Sequence, residues 1–201
     1  ATDEVLEEIP KLGIPDTILN NPDPNEFYLN RVYGAYNFCV RSSGYDNLVL
    51  VNSDDRFSEG WLENLLKHHD GVNIPCSRLI ESGKMASGKH GVNLGDNHFG
   101  RRPSEFDVEG WTKWVEEHKE DKTEPHGLYM PCLLNKKQFM DAGQYPRGNI
   151  FSGPDGLVAG YPNDRPVAMA GDDFFFHHVL ESQYGMKHIT VFDSLVYHII
   201  E

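Results

Sequence analysis

Two adjacent carboxylates, Asp54 and Asp55, directly follow a run of apolar residues and are the strongest chemical signal in this sequence. The run at 48–51 suits a strand buried on both faces, and ligands of α/β proteins bind beyond the carboxyl ends of such strands. Two ionised carboxylates this close repel each other unless a cation or hydrogen bonds compensate. Mg²⁺ and Mn²⁺ take oxygen ligands and often join carboxylates to phosphates. The pair therefore predicts a divalent cation site; the alternative is a turn in which Ser53 and Asp54 cap the next helix.

The residues around this pair predict the elements that must hold it. Residues 26–42 carry apolar side chains at near-helical spacing, and Gly44 ends that helix before a strand that begins at about Tyr45. Residues 57–71 have the pattern of an amphipathic helix, with Ser58 as N-cap and Gly71 as the left-handed stop. Helix, buried strand, acidic turn and helix together indicate a βαβ-type sheet.

Two later motifs carry further candidate site residues. Gly171, Asp172 and Asp173 stand at the start of a predicted helix, where the macrodipole favours a carboxylate, so helix capping is the alternative role of Asp172. His198 lies in a strand-like segment at 194–200, and a structural histidine is its alternative role. These residues extend the possible chemistry to general acid–base catalysis and to a nitrogen ligand for a metal.

The segments 30–37, 48–55, 60–62, 127–143, 171–176 and 196–198 together resemble the motifs of family 2 glycosyltransferases with the GT-A fold. The resemblance covers roughly residues 17–201. It implies an α/β fold with a mostly parallel nucleotide-binding sheet flanked by helices and a smaller acceptor-side region. It also implies a single domain over 1–201, with a nucleotide-sugar-binding half at 1–80 and an acceptor and catalytic half at 81–201. The acidic start of the chain predicts a helix at 3–11, so the family's opening strand is missing or replaced.

The resemblance implies an enzyme that moves a hexosyl or deoxyhexosyl group from a nucleotide diphosphate sugar, a UDP-sugar before others, to a hydroxyl of a glycan or glycoconjugate. Inversion at the anomeric carbon is expected. Asp173 takes the position of the family's catalytic base, and Asp172 would bind the acceptor or cap the helix. The alternative is a catalytically inactive domain of the same fold that binds a carbohydrate or a nucleotide sugar.

The resemblance also implies the metal and donor ligands. Asp55, Asp54 and His198 would hold Mn²⁺ or Mg²⁺, and the diphosphate would complete the coordination shell. Asp54 would also accept a hydrogen bond from a ribose hydroxyl, and Arg31 would contact the base or the phosphates. Asn52 stands where many relatives have the first Asp of an Asp-X-Asp motif, so it is placed with the donor-binding residues.

Composition excludes several other classes of protein. The 201 residues are 39% apolar and carry a formal net charge of −13, which argues for a globular domain and against binding to nucleic acid or an anionic membrane. No stretch approaches the ~20 apolar residues of a transmembrane helix. Three cysteines without CxxC spacing suit buried, reduced thiols, which favours a cytoplasmic protein.

The remaining segments leave alternatives open. Residues 81–106 and 144–169 are rich in Gly and polar residues and predict long surface loops. A helix at 106–118 places Trp111 and Trp114 on one side, either in the core or as a platform for sugar stacking. The triplet at 68–70 offers the His-X-Asp motif of a non-haem iron oxygenase, which also needs a distant His, but it falls at the end of a predicted helix rather than in a jelly-roll strand.

Overall fold

The structure is a computed structural model, and it describes residues 11, 23, 25–82, 90–96, 98–153, 156–160 and 167–199. The helix predicted at 3–11, apart from Lys11, lies outside these ranges, as does any opening strand before residue 23. The chain forms two compact units, one of residues 1–46 with 136–175 and one of 47–135 with 176–201. The units interleave along the sequence, and the functional division into 1–80 and 81–201 stays a prediction.

The described helices are α1 (Tyr28–Ser42), α2 (Trp61–Lys67), α3 (Val108–His118), α4 (Lys136–Asp141) and α5 (Gly171–Asp173), which continues as a π-helix over Phe174–Glu181. The described strands are β1 (Asn47–Leu50), β2 (Asp55–Phe57), β3 (Asn73–Glu81), β4 (Val92–Asn93), β5 (Thr123–Pro125), β6 (Cys132–Asn135), β7 (Asn149–Gly153), β8 (Gly156–Gly160), β9 (Val167–Met169) and β10 (Lys187–His198). None of these helices has the length and apolar character needed to cross a membrane.

The unit of 47–135 and 176–201 is built on a mixed seven-stranded sheet. Its strand order is β1-β6-β3-β10-β2, with β4 paired to β3 and β5 paired to β10. Helices and strands thus mix as predicted, but the prediction of a mostly parallel sheet is wrong. Among the named strands of the described residues, only β3 with β10 and β3 with β4 pair in parallel. The apolar run also predicted a strand buried on both faces, but in β1 only Leu50 is buried and Asn47 is exposed, and such a run does not fix the direction of a strand.

The central strand β10 carries the core of this unit. Leu65 of α2 packs with Leu133 and Val191 in one cluster, and Trp111 of α3 packs with Tyr197 in another. Trp111 is 4% exposed, so its place in the core is confirmed. The indole of Trp114 stacks on that of Trp111 with ring centroids 5.8 Å apart. Burial on both faces of β10 makes its carboxyl end a rigid support for His198.

Helix α2 begins differently from the prediction. Gly60, at φ 73°, precedes the helix, and no side chain caps it. Ser58 is buried instead: its N–H donates to the Leu195 carbonyl at 3.0 Å, and its hydroxyl accepts from the Leu195 N–H at 3.3 Å. The prediction of Ser58 as N-cap is therefore wrong, because its hydroxyl is used to fix the end of β2 against β10.

The other unit centres on an aromatic cluster. Its rings belong to Tyr33, Tyr36, Phe139, Tyr145 and Phe175, with centroid distances of 4.9–6.1 Å between neighbours. The side chain of Asn37 in α1 donates to the Tyr145 carbonyl and accepts from the Tyr145 N–H, each at 3.0 Å. These bonds fix α1 to the segment that follows α4.

Strands β7, β8 and β9 form a three-stranded antiparallel sheet in the order β8-β7-β9, where the sequence predicted a loop over 144–169. That prediction is wrong for the described part of the segment. Gly and Pro dominate the pattern, but Ile150 and Phe151 are buried and supply the apolar surface that a strand needs. Cys39 corrects another prediction, since it is exposed whereas the other two thiols are buried.

Candidate functional site

The pairing of β2 with β10 brings the acidic pair to a histidine. Asp55 begins β2 and lies directly opposite His198, the last residue of β10. The Ile199 N–H donates to the Asp54 carbonyl at 2.9 Å and continues this pairing by one bond. One ligand atom from each of Asp54, Asp55 and His198 lies within 4.8 Å of the others. Three residues that the sequence proposed as metal ligands are therefore together.

Asp55 is held in an environment that disfavours its charge. Its Oδ2 accepts the Asn52 N–H at 3.2 Å, whereas its Oδ1 is buried without a hydrogen-bond partner. Burial is the main cause that raises the pKa of Asp55 to about 6, and the neighbouring Asp54 and Glu81 act in the same direction. A bound cation would satisfy a carboxylate oxygen that has no hydrogen-bond partner and lies beside another carboxylate.

His198 is oriented by a carboxylate that sequence reasoning missed. Its Nδ1 lies 2.7 Å from Oε1 of Glu81, the last residue of β3, and its Nε2 lies 3.3 Å from Oδ2 of Asp54. Glu81 is only 5% exposed and was predicted to begin a loop. Its available signal was a charged residue directly after the apolar pair Leu79-Ile80. The hydrogen bond that Glu81 accepts from His198 is the chief cause that raises the pKa of His198.

The residues present fit a divalent cation. A proton on Nδ1 that is donated to Glu81 leaves the lone pair of Nε2 facing Asp54, the arrangement that outer carboxylates impose on metal-binding histidines. Asp54 and Asp55 add oxygen ligands, which hard cations prefer. The single imidazole favours Mn²⁺ over Mg²⁺, because Mg²⁺ binds oxygen ligands almost exclusively.

A cavity of about 470 Å³ opens beside this acidic centre. Asp55 lines it together with Arg56, and aromatic walls come from Phe57, Phe106 and Trp111. The Arg56 guanidinium lies 5.3 Å from the Phe106 ring centroid. Aromatic walls with a few charged groups are typical of small-molecule sites, and the volume is large enough for one sugar or nucleoside moiety.

Arg31 and Asn52 were both predicted to bind the donor. The backbone of Asn52 supports the Asp55 carboxylate, as described above. Arg31 is in α1, in the unit of 1–46 and 136–175, where its guanidinium lies 6.0 Å from the Tyr28 ring and its Nε is buried without a hydrogen-bond partner. That orphaned donor is compatible with a phosphate ligand, and the role of Arg31 stays a prediction.

Asp172 and Asp173 form the first turn of the predicted helix, as expected, and belong to the same unit as Arg31. The Asp172 carboxylate accepts the Asp173 N–H at 2.9 Å, and the Asp172 N–H donates to the Tyr33 hydroxyl at 3.3 Å. Burial, followed by the charge of Asp173, raises the pKa of Asp172. Ala170 occupies the N-cap position, so Asp172 bonds within the first turn rather than capping it.

The triplet at 68–70 serves the structure of its turn. The Asp70 carboxylate accepts the N–H groups of Val72 and Asn73 at 2.9 and 2.8 Å, and His69 bonds Asn47 at 3.0 Å. These bonds explain its position at the end of α2 without any metal.

Comparison of the sequence with family models and with curated proteins finds no match.

Proposed function

We propose that this chain is a metal-dependent glycosyltransferase of the GT-A type, which moves a sugar from a nucleotide diphosphate sugar to an acceptor hydroxyl with inversion. The observation that carries the proposal is the buried, unpartnered Oδ1 of Asp55 beside Asp54 and Nε2 of His198. Such a centre matches a diphosphate substrate, because a cation held by one or two carboxylates has further positions for phosphate oxygens.

The protein's own groups have separate tasks in this reaction. Asp54, Asp55 and His198 would hold Mn²⁺ or Mg²⁺, which supplies positive charge to the leaving diphosphate. Glu81 keeps the His198 imidazole in the tautomer that exposes Nε2. The aromatic cavity beside Asp55 excludes water from one moiety of the donor.

Asp173 is assigned the proton transfer. The acceptor oxygen attacks the anomeric carbon, the bond from that carbon to the diphosphate oxygen breaks, and the acceptor proton passes to the Asp173 carboxylate. This assignment depends on the family resemblance of the Gly171-Asp172-Asp173 motif.

The test is a turnover assay on the purified full chain with UDP-, GDP- and TDP-sugars, in Mn²⁺ and in EDTA. Release of nucleoside diphosphate from one donor, in Mn²⁺ only, is expected. Asp55→Asn should abolish the release, and Glu63→Gln is the matched control, since Glu63 is an exposed carboxylate on α2 outside the centre. Metal-dependent binding of a donor without hydrolysis or transfer would support the inactive binding domain instead. Binding that EDTA does not change would refute the metal assignment.

A further inference from the structure

A second group of metal-ligating side chains lies far from the acidic centre. The ligand atoms of His126, His177 and Glu181 lie within 4.8 Å of one another. His126 forms a bridge to Ile189 near the start of β10, whereas His198 ends that strand. Nine residues of extended chain span about 30 Å, so the two groups are separate sites within one unit.

The Glu181 carboxylate sits between the two imidazoles. Its Oε1 lies 3.5 Å from Nδ1 of His126, and its Oε2 lies 2.7 Å from Nδ1 of His177. The His188 N–H also donates to Oε1, at 3.4 Å, and fixes the rotamer of Glu181. The hydrogen bond between His177 and Glu181 therefore holds these two groups close together, and a cation could replace its proton.

The surrounding residues support a metal ligand set rather than an isolated ion pair. The Tyr129 hydroxyl lies 3.1 Å from Nε2 of His177, which is the outer contact that orients a histidine ligating through Nδ1. His126 has φ 65°, a backbone conformation that is costly for a residue other than glycine and clusters at functional sites. His177 and Glu181 both belong to the π-helix, a rare element that is often found at functional sites.

Charge and access also suit a cation. The side chains of His126 and His177 are 55% and 37% exposed, which leaves an entry path for the ion. The more buried Glu181 supplies the negative charge.

We propose that His126, His177 and Glu181 form a Zn²⁺ site with a fourth position open to water or a ligand. Two imidazoles and one glutamate are a known zinc ligand set, and nitrogen ligands favour zinc over Mg²⁺ or Ca²⁺. Zinc bonds of ~2.1 Å place tetrahedral ligand atoms about 3.4 Å apart. Nδ1 of His126 and Oε1 of Glu181 already have that spacing. Nδ1 of His177 lies at hydrogen-bond distance from the other oxygen, Oε2, and this pair must open when zinc replaces the proton.

The test is calorimetric titration of Zn²⁺ into the metal-free full chain, in the presence of Mn²⁺ that saturates the acidic centre. One Zn²⁺ per chain is expected for the wild type. His126→Ala and Glu181→Gln should weaken binding at least about 10-fold, and Tyr129→Phe, which removes the outer contact, about 10-fold. The matched control His178→Ala changes an exposed histidine one residue further along the π-helix and should bind Zn²⁺ normally.

Parallel measurements separate this site from the proposed nucleotide site. With the acidic centre saturated by Mn²⁺, Zn²⁺ should raise the melting temperature of the wild type and of His198→Ala, but not that of His126→Ala. Mn²⁺-dependent nucleotide binding should be unchanged in His126→Ala. Because the side chain of His126 is exposed, its removal should not unfold the protein, so a loss of zinc binding would report the loss of a ligand. Unchanged zinc affinity in His126→Ala and Glu181→Gln, or loss of zinc in His198→Ala alone, would overturn the assignment.

Discussion

Replacement of Asp55 by Asn should stabilise the metal-free protein while it removes metal binding. Asn keeps an oxygen that can accept the Asn52 N–H, but it removes a partly buried negative charge that lies beside Asp54. The rise in the pKa of Asp55 from an ordinary 3.8 to about 6 corresponds to about 3 kcal/mol. That free energy opposes folding, because the folded state holds the Asp55 proton more tightly than the unfolded state does.

The sign of the pH dependence follows from the same pKa. Below about pH 3.8 the carboxyl is protonated in both states and the charge has no effect on stability. As the pH rises from there to about 6, the unfolded state ionises first and the wild type loses stability relative to Asp55→Asn. Above about pH 6 the difference is constant, at up to about 3 kcal/mol in favour of the variant.

Urea unfolding of both proteins in EDTA measures this difference. Suitable values are about pH 4, near the ordinary pKa of Asp55, about pH 6, near its pKa in the folded protein, and about pH 8, above both. We expect a larger free energy of unfolding for Asp55→Asn at pH 8 and nearly equal values at pH 4. Saturating Mn²⁺ should then stabilise the wild type and leave the variant unchanged. A variant that is less stable than the wild type in EDTA at every pH would refute the reasoning, since Asp55 would then be a structural residue.

Three further predictions follow from individual contacts. In the wild type, Mn²⁺ affinity measured by calorimetry should fall as the pH drops through the pKa of His198, which is raised above 6.5. His198→Gln should flatten this pH dependence, and an equally steep dependence in the variant would contradict the role of His198 as a ligand. Asp173→Asn should keep donor affinity and lower the rate of transfer by ~10²–10⁴-fold in a steady-state assay, and Asp172→Asn should lower the rate less. If Asp173→Asn lost donor affinity as much as it lost transfer, Asp173 would not be the catalytic base. Gly171→Ala should lower the free energy of unfolding, measured by heat or urea, by ~1–3 kcal/mol, because the new β-carbon would overlap the Gly148 carbonyl and lie 2.7 Å from the Tyr33 ring. Gly34→Ala, in open space within α1, should instead raise the free energy of unfolding by about 0.5–1 kcal/mol. The reverse order would show that the packing at Gly171 is wrongly assigned.

The sequence could name Asp54, Asp55 and His198 as candidate ligands because the signal of each is local. A strand-forming run that stops at two carboxylates is visible in nine residues, and a histidine at the end of a late apolar strand is visible by itself. The structure brings both together through the pairing of β2 with β10. Glu81 could not be found this way, because its role depends on the register of β3 against β10, which places Ile80 opposite Tyr197.

Strand direction and strand content in Gly-rich segments were beyond the reach of the pattern. Burial on both faces suggested parallel strands, but β6 runs antiparallel to its neighbours although Cys132, Leu133 and Leu134 are buried. In β7 the apolar pair Ile150 and Phe151 outweighs the surrounding Gly and Pro once tertiary packing is available. The cluster around Glu181 was also missed, since its histidines are separated by about 50 residues and match no local motif.

Electron paramagnetic resonance of Mn²⁺ tests the central claim most directly. When Mn²⁺ is added to the protein with UDP, the signal of free aqueous Mn²⁺ should fall by one equivalent, and the bound ion should show hyperfine coupling to one imidazole nitrogen. His198→Gln should lose that coupling, and Asp55→Asn should restore the free signal, while His126→Ala should behave as the wild type. Free Mn²⁺ at full intensity in the wild type, or nitrogen coupling that survives in His198→Gln, would contradict a metal centre at Asp54, Asp55 and His198.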